Sequence, residues 1–206
     1  MIMSDYVIEI EHAARLLIDG VWHEHVQIEF LQPQLLALEQ LVRGEYRAAQ
    51  SMQNDAEDAD DLMAGVGRQW ETYFGPDRDR HQMQEELESR QQTLQTHEFS
   101  IGTLAAGLLQ HAKQGISLIH GGLPNCPDGR LIGTSPLKDV VWQGRNQALH
   151  WEEGKVHPPV EKCFQALSAL KSTFGDYNSR NLAFDVVELL EWKTFEAFRD
   201  DLLSLK

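Results

Sequence analysis

Between Gly144 and Glu153 the chain reads Gly-Arg-Asn-Gln-Ala-Leu-His-Trp-Glu-Glu, and here residue type and spacing together suggest chemistry. His150 carries an imidazole, which takes up and returns protons near neutral pH. Arg145 carries a planar guanidinium, which grips phosphate oxygens through paired N–H groups. Asn146, beside the arginine, adds a carboxamide that can orient a neighbour or hydrogen-bond a substrate.

These three side chains need an element to position them, and the sequence predicts a helix. Ser135-Pro136 reads as its start, with Ser135 as cap and Pro136 in the first turn. Gly154, followed by Pro158 and Pro159, reads as its stop. Leu137, Val140, Val141, Gly144, Ala148 and Trp151 recur at helical spacing and form one apolar stripe. Asn146 and His150, four apart, fall on the opposite side, with Glu153 beside Asn146. Arg145 lies on the shoulder, roughly 140° from His150 around the axis, and its stem can swing the guanidinium toward the polar side. The plain alternative is a solvated arginine and histidine on an exposed helix face.

Arg145-Asn146-x3-His150 resembles the Arg-x4-His signature of HEPN domains, small all-α domains of which many are metal-independent endoribonucleases in toxin–antitoxin and phage-defence systems. The resemblance covers mainly residues 97–206, and a polar residue, often Asn, commonly follows the arginine in that family. It implies RNA cleavage by attack of the 2′-hydroxyl on the adjacent phosphorus, with His150 as acid/base, Arg145 neutralising phosphoryl charge and Asn146 assisting. No metal and no cofactor are implied. Because one chain offers one such histidine, a homodimer whose two-fold axis passes near His150 belongs to the same expectation, as does an antitoxin or defence-system partner. The competing implication is a non-catalytic HEPN-like dimerisation or partner-binding module. Many toxins of the family read His-x-Tyr; position 152 is Glu here, so regulation through tyrosine modification does not carry over.

The remainder of the chain predicts an all-α antiparallel helical bundle: an accessory helical region over 1–96, for docking or oligomerisation, and a HEPN-like core over 97–206. Residues 5–21 read as an amphipathic helix through Ile10, Ala13, Ala14, Leu17 and Val21. Val26, Ile28 and Phe30 alternate with polar residues as a strand would, but a lone strand lacks a partner, so helix is preferred. His23-Glu24-His25 is a weak metal fragment, since residues two apart point to different sides of a helix. A second helix is expected after Pro33. The acidic run 54–61 lacks the spacing of a calcium loop and reads as the opening of a helix over 57–74. From Asp77 to Gly121 there is no proline, which predicts one very long helix or two joined near Phe99-Ser100. Leu87, Leu94, Ile101 and Leu108 fall seven apart along it, with Met83 and Leu104 as companions.

Residues 121–134 are turn-rich and predict a long loop leading into the signature helix. Val160, Cys163, Phe164, Leu167 and Leu170 predict a further amphipathic helix, with Cys163 a buried thiol. Two closing helices are expected over 181–192 and 194–205. Only two cysteines occur, neither in a Cys-x-x-Cys pair, which argues against a zinc site and suits a reducing compartment. No apolar run reaches membrane-span length, and Met1–Asp5 does not open a secretory signal, so a cytoplasmic, non-membrane protein is expected. The net charge of −14 disfavours a broad nucleic-acid surface. An RNase of this composition must concentrate its positive charge locally.

Overall fold

The apolar stripe of the first helix already dictates a bundle. Met3, Val7, Ile10, Ala14, Ile18 and Val21 recur at spacings of four or three and are all buried, the spacing that keeps one helical face against a neighbour. The computed structural model describes residues 1–54 and 76–206, and within them the protein is an all-α helical bundle with a single two-stranded hairpin. Six α-helices are described: α1 (Met3–Asn54), α2 (Pro76–His120), α3 (Leu137–His150), α4 (Pro158–Ser168), α5 (Ala183–Leu189) and α6 (Phe195–Ser204). The hairpin pairs β1 (Leu131–Ile132) with β2 (Ser135–Pro136).

The chain divides into two compact units, Met1–His25 with Glu98–Lys206, and Val26–His97. The first 25 residues of the stretch expected to be accessory belong to the same unit as the signature helix. In this first unit α1 and α2 run antiparallel at close approach. A Cβ at Gly115 would lie 2.8 Å from Tyr6, and one at Gly107 would meet Leu17 at 3.4 Å. Ile101, Ala105, Leu108, Leu109, Ala112 and Ile116 give α2 its buried face, and Tyr6 donates its hydroxyl to the carbonyl of His111 at 2.7 Å. Burial beside Glu9 pushes the Tyr6 phenol up to about 12. α6 closes the unit with Phe195, Phe198 and Leu202 buried and Trp192 edge-on to Phe198 at 4.8 Å. Thr194 caps it, its hydroxyl accepting from the Ala197 amide.

In the second unit Arg90 donates to Gln34 at 2.6 Å and Gln91 to Glu39 at 3.3 Å, while Val42 and Leu87 are buried. Residues 26–30 are helical, which settles the strand alternative for the lone-strand reason already given. One boundary differs from expectation. No second helix begins after Pro33; the proline lies inside α1, exposed, so water can satisfy the carbonyl its missing N–H leaves free. Of the two alternatives for the proline-free stretch, the single long helix holds over Pro76–His120, because nothing there removes a backbone donor. The helix expected over 57–74 and nearly all of the acidic run fall outside the described residues.

Candidate functional site

The signature helix begins one residue later than its sequence suggests. Ser135 and Pro136 belong to β2, and Ser135 caps nothing. The first amides of α3 are satisfied instead by the preceding loop: Leu137 N–H donates to the Arg130 carbonyl at 2.9 Å and Lys138 N–H to that of Asp128 at 3.3 Å. A backbone cap of this kind leaves no trace in residue type. The C-terminal end is nearer to expectation, since α3 stops at His150, one 3₁₀ turn follows through Trp151–Glu153, and Gly154 closes it with φ at 66°.

Leu137, Val140, Val141, Gly144 and Ala148 are buried as their stripe requires, whereas Trp151 is only half-buried. Gly144 lets α3 approach its neighbours, because a Cβ there would sit 3.1 Å from Val186 and 3.5 Å from Leu109. The buried face also holds two glutamines that the apolar pattern does not reveal. Gln147, 2% exposed, donates to the carbonyls of Tyr177 at 2.8 Å and Arg180 at 2.7 Å and accepts from the Leu182 amide at 3.0 Å. It pins residues 177–182, which have no regular ladder of their own, against α3.

The polar side forms two hydrogen-bonded groups. In one, Arg145 donates from Nε to Gln110 Oε1 at 2.6 Å and from Nη1 to Asn146 Oδ1 at 3.3 Å, while Asn146 Nδ2 donates to Gln143 Oε1 at 3.3 Å. In the other, His150 Nδ1 and Glu153 Oε1 are 2.6 Å apart. A carboxylate only accepts, so Nδ1 carries the proton and Nε2 is left as the free acceptor. Asn146 thus orients Arg145, not His150; the residue that orients the imidazole is Glu153. Both partners of that pair are exposed, so it fixes geometry more than it stabilises the fold.

Asn146 and His150 share the wall of a shallow, open depression of about 10 Å³, room for little more than one water molecule, together with Lys155, His157 and Tyr177. Arg145 does not line it. Three bases, His150, Lys155 and His157, occur among the lining residues and no carboxylate does, although Glu153 reaches His150 from outside the lining. Lys155 and His157 come from the turn after Gly154, and Tyr177 is folded in from beyond α4. Neither was legible as part of a site, because the first reads as a loop and the second is remote in sequence.

Other candidates resolve into packing. His25 packs edge-on to Trp22 and tilted against Phe184, its centroid 5.4 and 4.9 Å from theirs, and His23 is exposed. Among the described residues no three His, Cys, Asp or Glu side chains converge as a metal cluster. Cys163 is buried as expected and its thiol is pushed up to about 12 by desolvation. Among the described residues no helix is long and apolar enough to cross a membrane.

Fold and site together define a helical bundle that displays a carboxylate-held histidine next to an arginine–carboxamide group. No family model, curated protein or solved structure matches the chain.

Proposed function

We propose that this protein is a metal-independent endoribonuclease of HEPN type, acting as a homodimer and serving as a toxin or phage-defence component. The observation that carries the reading is the His150–Glu153 pair, which leaves the imidazole Nε2 unspent on a residue that lines a shallow depression together with Lys155 and His157. Nε2 takes the proton of a ribose 2′-hydroxyl as its oxygen bonds to phosphorus. The bond from phosphorus to the 5′-oxygen breaks, and that oxygen is protonated as it leaves. Products therefore carry a 2′,3′-cyclic phosphate and a free 5′-hydroxyl. Arg145, held from behind by Gln110, offers its remaining N–H groups to the phosphoryl oxygens. A second copy across a two-fold axis supplies the second histidine, so that one imidazole accepts and the other donates.

The test is incubation of the full-length chain with end-labelled RNA in excess chelator. Cleavage with cyclic-phosphate ends is expected, reduced roughly 10²–10⁴-fold in His150→Ala, with the thermal midpoint and dimer unchanged. Cleavage that survives His150→Ala, or that the chelator abolishes, defeats the proposal.

One observation favours a second reading, a non-catalytic dimerisation or partner-binding module. Arg145 and Asn146 are already engaged with Gln110 and Gln143, and Leu149, 43% exposed, adds an apolar residue beside His150. In that case the chain does not cleave RNA, and His150→Ala or Leu149→Asp dissociates the assembly.

A further inference from the structure

A second and larger cavity, of about 630 Å³, opens beside the first half of α3, between the hairpin and the start of α4. Its volume is ample for a small ligand, typical pockets holding roughly 300–1,000 Å³. Pro136, Pro158 and Pro159 give it flat apolar walls, Asp139 and Gln143 give it polar groups, and Lys162 adds an exposed cation.

The position of Asp139 and Gln143 on α3 gives the cavity its interest. Asp139, Gln143, Asn146, His150 and Glu153 follow one another at spacings of four, three, four and three, a single stripe along the helix. The cavity thus occupies one end of the stripe and the His150 depression the other. The two are also joined by bonds, since Gln143 Oε1 accepts from Asn146, which in turn accepts from Arg145.

The available atoms select among ligands. Two helices begin at this cavity, but their first amides are spent: Leu137 and Lys138 donate to Arg130 and Asp128, and Val160 and Glu161 both donate to His157. Pro158 and Pro159 have no amide hydrogen to offer. A phosphate therefore finds no nest of backbone donors here. Asp139 is half-buried and makes no hydrogen bond or ion pair among the described residues, so it presents an unpaired carboxylate acceptor. Gln143 is 6% exposed, and because Asn146 occupies its oxygen, Nε2 is the atom left to the cavity.

We propose that this cavity is a guanine-reading subsite, in which Asp139 accepts from the base N1–H and N2–H while Gln143 Nε2 donates to O6. The prolines cover the faces of the base, and Lys162 meets a phosphate at the mouth. Adenine turns its N1 acceptor toward the carboxylate and is repelled; cytosine and uracil each lack one of the two adjacent donors. The subsite rests on the reading of the chain as an RNase, to which it adds a base preference next to the cleaved linkage.

The experiment is titration of the full chain with the four nucleoside 5′-monophosphates, guanosine and ribose 5-phosphate, by calorimetry or protein NMR. Guanosine 5′-monophosphate is expected to bind at least about tenfold tighter than the other three, with guanosine keeping the preference and ribose 5-phosphate showing none. Asp139→Asn should erase the preference. Ala166→Phe, which fills the cavity from α4, should block binding altogether. Should one variant fail to fold, the other decides. Equal affinity for all four nucleotides, no binding in the millimolar range, or a guanine preference untouched by a folded variant overturns the subsite. RNA cleavage without guanine preference removes the subsite and leaves the nuclease; guanine binding by a chain that never cleaves RNA does the reverse.

Discussion

Replacing Gln147 with methionine keeps the volume of the side chain and removes its hydrogen bonds, so it isolates what holds residues 177–182 in place. Three bonds are lost, to the Tyr177 and Arg180 carbonyls and from the Leu182 amide. They are not equal. Leu182 is fully buried, and its orphaned N–H costs about 1–3 kcal/mol, because no water reaches it. The two carbonyls are only part-buried, can recover hydration, and cost about 0.5–1.5 kcal/mol each. The total is about 2–6 kcal/mol, and for a chain of this length each kcal/mol lowers Tm by about 2–4 °C. Thermal and urea unfolding measure the loss, and hydrogen exchange at the Leu182 amide locates it. Because Tyr177 belongs to the wall of the His150 depression, the RNA cleavage proposed for that site should fall as well. A variant within about 0.5 kcal/mol of the parent, or one whose Leu182 amide exchanges as slowly as before, refutes the assignment of Gln147 as the pin.

Three further outcomes are expected. The Tyr6 phenol is raised from 10.0 to about 12, so the native state keeps a proton that the unfolded chain releases. Its share of stability is whole below pH 10 and is lost as pH climbs toward 12; Tyr6→Phe should flatten that segment of a stability–pH curve. Asp201 accepts from the Trp192 indole at 2.7 Å and from Arg130 at 2.7 and 2.9 Å. Asp201→Ala should cost about 2–3 kcal/mol by denaturant titration, chiefly through the buried indole N–H, since Arg130 at 43% exposure is rehydrated. Gly144→Ala should cost about 1–3 kcal/mol, since its new methyl meets Val186 at 3.1 Å in a filled core; a neutral result would show that α5 can retreat.

The helical class, the polar ridge and the buried thiol of Cys163 were all legible in residue order. Periodicity reports directly which face of a helix avoids water, and the stripe of α3 needs no partner to be seen. Ser135 shows where such reading fails. Its type and place match a helix cap, yet carbonyls of Arg130 and Asp128, folded back from the turn-rich loop, satisfy the same amides. Pro33 fails in the opposite sense, as a breaker accommodated because its freed carbonyl lies on an exposed side of α1. Gln143 and Gln147 look like surface residues, and only their partners show why burial suits them.

By itself, then, the sequence determined that the chain makes helices, which faces they bury, and that Asn146 and His150 share one outward side. Tertiary structure decided which polar atoms are already spent and which remain for a ligand. Glu153 rather than Asn146 holds the imidazole, Gln110 backs Arg145, and Lys155, His157 and Tyr177 complete the depression. Periodicity along one helix is set by local backbone geometry. Hydrogen-bond partnership depends on directions and separations of a few ångströms between segments that meet only once the chain is packed.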